Sequence, residues 1–274
     1  MLILLVACVA SPEAEAPPDA APSQPTVRPE DSFRGCTSEI VVSAEGLTIG
    51  TCQEVYDENG YGSSYHCIDT DGYVSYFEAV TEPAGCQTYE LLYMEGDWGS
   101  YRDERDFTCD EHGNTITDVG AVEQTYPDGE WYSEDYDWFF RLTYADDLLV
   151  DSLRELPDGG DRWHEQFAYE VHGWLERVDS GWEGERATER ETLTYDERGN
   201  RVYREYDGTW SHYESWQTYD GLDRAITWRS DGESGPNAAV SSYDGDTHRL
   251  STITSDDGDD GTVDTLTTYT WTCP

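Results

Sequence analysis

A tyrosine returns along the second half of this chain at a nearly fixed interval. The dipeptides Thr143-Tyr144, Ala168-Tyr169, Thr194-Tyr195, Thr218-Tyr219, Ser242-Tyr243 and Thr268-Tyr269 follow one another at spacings of 25, 26, 24, 24 and 26 residues. A period of this size marks one supersecondary unit repeated along the chain. Between successive tyrosines lies a second turn signal, in turn Asp158-Gly159, Ser180-Gly181, Asp207-Gly208, Asp231-Gly232 and Asp257-Gly258. Each interval therefore reads as strand, tight turn, strand, with Tyr-Asp at the corner to the next unit. Residues 201–206 followed by 209–219 are the clearest unit, and their aromatics fall on both faces, Trp210 and Trp216 against Tyr213 and Tyr219. A sheet with one wet face alternates more cleanly. The expected fold is all-β: tandem antiparallel β-hairpin repeats forming a twisted, curling meander sheet.

The best corners are Tyr195-Asp196-Glu197-Arg198-Gly199-Asn200 and Tyr219-Asp220-Gly221-Leu222-Asp223-Arg224. Weaker ones start at Tyr243-Asp244, Tyr169 and Tyr144. Cys109-Asp110 and Tyr56-Asp57 are plausible earlier copies, and Tyr269 ends the series. The pattern resembles the YD repeats of the Rhs family, well over about residues 140–270 and poorly over 50–140. The resemblance implies consecutive hairpins, each burying a face on its neighbours. Long arrays in that family build a shell around a toxin or carry a receptor-binding surface. Six or seven units look too few to enclose a domain, so only the fold is carried over.

Composition decides between folding and disorder. Leu, Ile, Val and Phe make up only 45 of 274 residues, and the formal charge is −43. Those values alone point to disorder. The 20 Tyr and 10 Trp tip the balance back to a folded chain. Each aromatic ring buries roughly 150–250 Å², and Tyr, Trp and Thr favour strands. All 16 basic residues are Arg, against 59 acids. Such a balance excludes nucleic acid as a partner and excludes a basic patch on anionic lipid.

The N-terminus reads as an address. Residues 1–7 are apolar and too few to span a bilayer, and Leu5-Val6-Ala7-Cys8 resembles the lipobox of bacterial lipoproteins. In that family the Cys thiol is acylated, so the resemblance makes Cys8 a lipid anchor in a membrane. No positive residue precedes the apolar run, a departure from the usual signal. Residues 8–31 then form a Pro/Ala-rich tether, with six of the eleven prolines. The division that follows is 32–135, a cystine-bearing degenerate β region acting as a cap against edge pairing, and 136–274, the repeat array. The address implied is the bacterial cell envelope, anchored at the outer membrane and facing the periplasm or the surface.

Six further cysteines, Cys36, Cys52, Cys67, Cys86, Cys109 and Cys273, form an even set that in an exported chain implies three disulfides. Asn59-Gly60, read as a type I′ turn, sets Cys52 opposite Cys67. A turn at residues 44–46 instead sets Cys36 opposite Cys52, and both pairings stay open. Zinc is disfavoured, since there is no C-x-x-C and no Cys/His cluster at ligand spacing. No G-x-S-x-G, P-loop or H-E-x-x-H occurs, so no catalytic residue is assigned. The acidic run at Asp256, Asp257, Asp259 and Asp260 is a weak calcium candidate, because hard cations want clustered carboxylates. It breaks the EF-hand pattern at Gly258 and Thr267 and sits where a turn belongs. The reading favoured is a non-catalytic lipoprotein scaffold for an unknown surface ligand or protein. The alternatives are a carbohydrate- or calcium-dependent binding module, marked by an exposed row of Trp, and a hydrolase using acidic residues.

Overall fold

The computed structural model describes residues 32–82, 86–156, 162–233 and 235–274. Cys8, its lipobox, the tether and Asp158-Gly159 lie outside the described residues. Among the described residues there are eighteen strands. The first nine are β1 Thr37–Ala44, β2 Leu47–Tyr56, β3 Gly62–Asp69, β4 Val74–Thr81, β5 Gln87–Gly96, β6 Gly99–Cys109, β7 Thr115–Thr125, β8 Trp131–Ala145 and β9 Leu148–Glu155. The second nine are β10 Arg162–Tyr169, β11 Leu175–Trp182, β12 Glu189–Tyr195, β13 Arg201–Asp207, β14 His212–Tyr219, β15 Ala225–Gly232, β16 Asn237–Tyr243, β17 Leu250–Asp257 and β18 Thr265–Thr272.

Every strand pairs antiparallel with its neighbours in sequence, and β1 also pairs with β18. The result is a closed up-and-down barrel of eighteen strands, and the open curling sheet expected from the repeat is wrong. The seam that closes it runs through eight registers, from Thr37↔Thr272 to Ala44↔Thr265. Just beyond it the Cys36–Cys273 disulfide joins the two ends. Phe33, Tyr56 and Trp271 pack over the join, with ring centroids 4.9, 5.4 and 5.6 Å apart. The array from Tyr144 onward was too short to enclose anything because it supplies only the strands after β8. The degenerate N-terminal half supplies the rest of the wall and leaves no free edge. The expected boundary at 135/136 falls inside β8.

The corners show why Asp follows Tyr. In five turns an Asp Oδ1 accepts the backbone N–H groups two and four residues ahead. Asp57 takes Asn59 and Tyr61, Asp69 takes Asp71 and Tyr73, and Asp110 takes His112 and Asn114. Asp196 takes Arg198 and Asn200, and Asp220 takes Leu222 and Arg224. The residue after the turn then enters the left-handed region, Gly199 at φ 89° and Asp223 at 61°, producing a bulge at the first pair of the next strand. Asn59-Gly60 belongs to this class. Only Gly60 of that turn has positive φ, whereas type I′ needs two such residues. Two-residue turns with both φ positive occur at Glu45-Gly46 and Asp146-Asp147.

The tyrosine has its own task. Tyr169, Tyr219 and Tyr243 donate their hydroxyls to the backbone oxygens of Leu149, Arg201 and Ala225, each in the strand after the preceding corner. These three corners are thus stitched to the ones before them. At the last corner Trp271 replaces the expected Tyr269, its Nε1 donating to Leu250 O at 2.7 Å. Tyr144 differs, donating to the Asp110 carboxylate and stacking on His112 at 4.5 Å. The second turn signal is displaced in two units: Asp231-Gly232 closes β15 in register with Glu214 and Tyr213, with the reversal beyond it. Ser180-Gly181 lies within β11 and the chain reverses at Glu183–Gly184. Gly181 serves a close approach there, since a Cβ would meet Thr188 N at 3.1 Å and Ala187 Cα at 3.2 Å.

The candidate lumenal site

Side chains alternate across a strand, so a closed wall has two faces. Followed through the registers, one face holds Ile40, Cys52, Cys67, Ser75 and Met94, and further round Leu193, Arg204, Ser215 and Ser230. The other holds Val41, Thr51 and Ile68, and further round Thr192, Glu205, Glu214 and Asp231. The buried strand residues Ser38, Ile40, Cys67, Ser75, Ala79, Asp103, Ser152, Leu193 and Ser215 belong to the first face, with Leu153 and Gly181 the exceptions. In a closed ring side chains converge on the concave side and splay on the convex side. The covered face therefore lines the lumen. Eighteen strands are far more than the eight whose interior side chains fill, and the strand-to-strand contacts among the described residues join only barrel neighbours. The wall encloses space rather than a packed core.

The lumenal face carries Phe77, Leu92, Trp138, Phe140, Trp163 and Trp228, while the outer face is dominated by acids, Arg, Thr and Ser. Set into the inner wall of β6–β9 is a charge cluster. Asp103, 3% exposed, accepts Arg105 Nη2 at 2.6 Å, Tyr136 Oη at 2.7 Å and Tyr101 Oη at 3.3 Å. Burial pushes the Asp103 carboxyl up, but hydrogen bonds from Arg105 and Tyr136 outweigh it and hold it below the usual range. Tyr136 fits over Gly120, where a Cβ would meet Glu104 O at 2.4 Å and Tyr136 Oη at 2.7 Å. Asp118 Oδ2 lies 3.7 Å from Arg105 Nη1, and its Oδ1 has no hydrogen-bond partner among the described residues. Burial raises the Asp118 carboxyl despite the Arg105 charge. Arg154 covers the Trp138 ring at 4.5 Å.

Two more lumenal carboxyls are pushed up. Glu54 is raised by burial against the opposing hydrogen bonds from Ser38, at 3.0 Å, and Tyr56, at 3.2 Å. Glu165 is raised by burial, partly offset by the Arg154 charge and a hydrogen bond from Trp163. Ser38 and Glu54 stand together at 3.0 Å, but Ser38 is fully buried, so its hydroxyl is closed to a substrate. Asp103 and Arg105 are committed to each other, a tie that Tyr136 extends across to β8.

The six cysteines pair as Cys36–Cys273, Cys52–Cys67 and Cys86–Cys109. The corner residues sit along one rim, holding turns. In the acidic run, Asp256 caps the backbone N–H groups of Asp260 and Gly261, Asp264 caps Asp257, and Asp259 pairs with Arg229. No group of three or more His, Cys, Asp or Glu among the described residues is arranged to hold a metal. The lumenal charges Glu54, Asp103, Arg105, Asp118 and Glu165 were not singled out from sequence, because 59 acids hide them. Alternate positions on a strand would have found Asp103 and Arg105 together, but not which face they share with Tyr136.

Fold and wall define a class, a closed antiparallel β-barrel with an aromatic lumen and a charged exterior. No helix of the described residues is long and apolar enough to cross a membrane. The fold is similar to that of a porin-like protein from Bacteroides uniformis ATCC 8492, at TM-score 0.40 and 10% identity over 88% of this chain and 96% of that one. It is also similar to a chain of the TcdB2-TccC3-TEV structure, at TM-score 0.35 and 11% identity over 82% of this chain. This chain spans 15% of the length of that second one. No family model matches the chain, and no curated protein matches it. The likeness to YD repeats rests on the corner residues alone.

Proposed function

We propose that this chain is a non-catalytic binding barrel of the bacterial envelope, tethered by its N-terminal segment, standing in water and working through its lumen. The observation that carries this reading is the sorting of side chains. A barrel in lipid turns an apolar band outward and keeps a polar interior; here most of the rings face inward, and the outer face is dominated by acids, Arg, Thr and Ser, with rings such as Phe139, Tyr203 and Trp216 set among them. The first and last strands start and end at the same rim, beside Cys36–Cys273. A tether through Cys8 would hold that rim toward the membrane and present the opposite mouth to its surroundings. Of the raised carboxyls, Glu165 stands beside Trp163 and Glu54 beside a Ser38 hydroxyl that is fully buried, which favours binding over hydrolysis.

The test is residues 32–274 exported to an oxidising compartment without the leader. The expected product is a monomer in detergent-free buffer that does not float with phosphatidylcholine vesicles. A chain that aggregates until detergent is added, or inserts into the vesicles, would overturn the reading.

A further inference from the structure

The mouth remote from the termini has an inner lip of aromatic rings. On the hairpins and strand ends of that rim, Tyr73 and Trp98 lie 6.3 Å apart, tilted by 41°. Both close on Gly96, where a Cβ would meet each at 3.0 Å. Trp163 and Trp182 meet edge to face at 5.3 Å and 88°, and Tyr206 and Tyr213 stack at 5.5 Å. Three lip rings each hold a carboxylate: Tyr132 donates to Glu134, Trp163 to Glu165 and Tyr206 to Glu189. Trp182 remains 43% and Tyr132 44% exposed. At the opposite rim Tyr169, Tyr219 and Tyr243 are spent on backbone oxygens, and the Phe33, Tyr56 and Trp271 rings pack over the seam.

Tilted and edge-on rings interleaved with carboxylates make cages rather than a flat platform. A flat platform is what a sugar ring stacks on; cages are what a cation fills. The wall already uses this chemistry, with Arg204 over Tyr213 at 5.1 Å and Arg154 over Trp138 at 4.5 Å. With 59 acids against 16 Arg, the chain's own cations cannot match its carboxylates. A field of that sign draws positive partners to the mouth.

We propose that this lip is the entrance site for a basic polypeptide segment, its Lys and Arg side chains seated against Trp98, Trp163 and Trp182 and paired with Glu165 and Glu189. The proposal rests on the reading that the lumen is the working surface.

The experiment titrates residues 32–274 with a fluorescein-labelled decapeptide of alternating Lys and Gly in 0.15 M NaCl, read by anisotropy. A Gly/Ser decapeptide and chitohexaose serve as comparisons. One-to-one binding of the Lys peptide is expected, weakening as salt rises. Trp98→Ala/Trp182→Ala should weaken it about tenfold, the combined effect of two cation–ring contacts, and Glu165→Gln/Glu189→Gln by a similar factor. Asp135→Asn/Asp137→Asn removes the same charge from the outer wall and should change affinity less than twofold. The Gln pair keeps the shape of the lip, so it decides the matter if the Ala pair fails to fold. Equal losses from the outer-wall pair, Lys-peptide binding no tighter than the Gly/Ser peptide, or tighter binding of chitohexaose would each overturn the proposal. A barrel that stays monomeric in water while failing these titrations sinks this inference alone; a detergent requirement sinks the reading beneath it.

Discussion

The Cys36–Cys273 bridge closes the ring at its seam, and removing it should cost more than removing either of the other two. The three bridges span 237, 23 and 15 residues. Loop-closure entropy then gives about 5.5, 3.4 and 3 kcal/mol at 25 °C, respectively. The other two bridges, nested inside the first, shorten its free loop only slightly. Substitution by Ala avoids placing hydroxyls where Cys36 is 2% exposed, so the loss reports the cross-link. For a barrel of this size about 5 kcal/mol corresponds to a melting temperature about 10–20 °C lower. The seam ladder itself survives in Cys36→Ala/Cys273→Ala, because eight registers pair β1 with β18. The variant should therefore fold, but unfold at lower denaturant and form higher oligomers on refolding at high concentration, as free edges pair between molecules. Denaturant titration of the three double variants, with size-exclusion after refolding, checks the order. A Cys52→Ala/Cys67→Ala variant that loses as much as the seam variant would refute the reasoning, since chain entropy would not then be what the seam bridge supplies.

Three smaller perturbations probe the wall. Glu54 is raised by burial, so its folded form favours the protonated state; that contribution holds at low pH and is lost as pH rises through the folded value. Glu54→Gln should accordingly melt above the parent at pH 7 and with it below the ordinary carboxylate range of about 4, as a pair of melting curves would show. Tyr219→Phe removes the one hydroxyl proton that Arg201 O at 2.9 Å and Gln217 Oε1 at 2.7 Å share, a loss of about 1 kcal/mol by denaturant titration. Gly120→Ala drives a Cβ into Glu104 O and the Tyr136 hydroxyl. It should cost about 1–3 kcal/mol and change the near-ultraviolet dichroism of the lumenal aromatics.

Legibility in the sequence followed the range of the interaction. Asp196 and Gly199 form a turn from residues within five positions, and its place was readable there, while the type I′ geometry read at Asn59-Gly60 was not the one adopted. Cys52 and Cys67 lie across one corner and emerged as a pairing, though not over its rival. Closure depends on Thr37 meeting Thr272, and nothing local records it. The N-terminal copies obscure it further, since Cys109 stands where a Tyr belongs and is bound to Cys86. The lumenal face was hidden for another reason. Trp216 and Tyr203 lie on the outer wall while Tyr213 and Tyr206 lie on the inner one, so aromatics on both faces read as a sheet covered from both sides. Only the ring makes one of those faces concave.

A closed ladder also changes what the inner rings are free to do. Every strand finds backbone partners on both sides, so the wall needs no second layer to satisfy its N–H and C=O groups. The apolar residues buried to core level are Cys36, Ile40, Cys67, Ala79, Cys86, Leu153 and Leu193, and three of these are cystine halves. Stability then resides in ladders, stitched corners and cross-links, while the lumenal aromatics keep surface still to be covered. A ligand that covers it binds the folded ring and not the open chain. At a peptide concentration of 100 times Kd, linkage gives about 2.7 kcal/mol, a rise in melting temperature of about 5–10 °C. Scanning calorimetry with the Lys-Gly decapeptide measures it directly. An unchanged melting temperature at saturation would mean that the peptide binds the unfolded acidic chain as well as the barrel, and that closure contributes nothing to recognition.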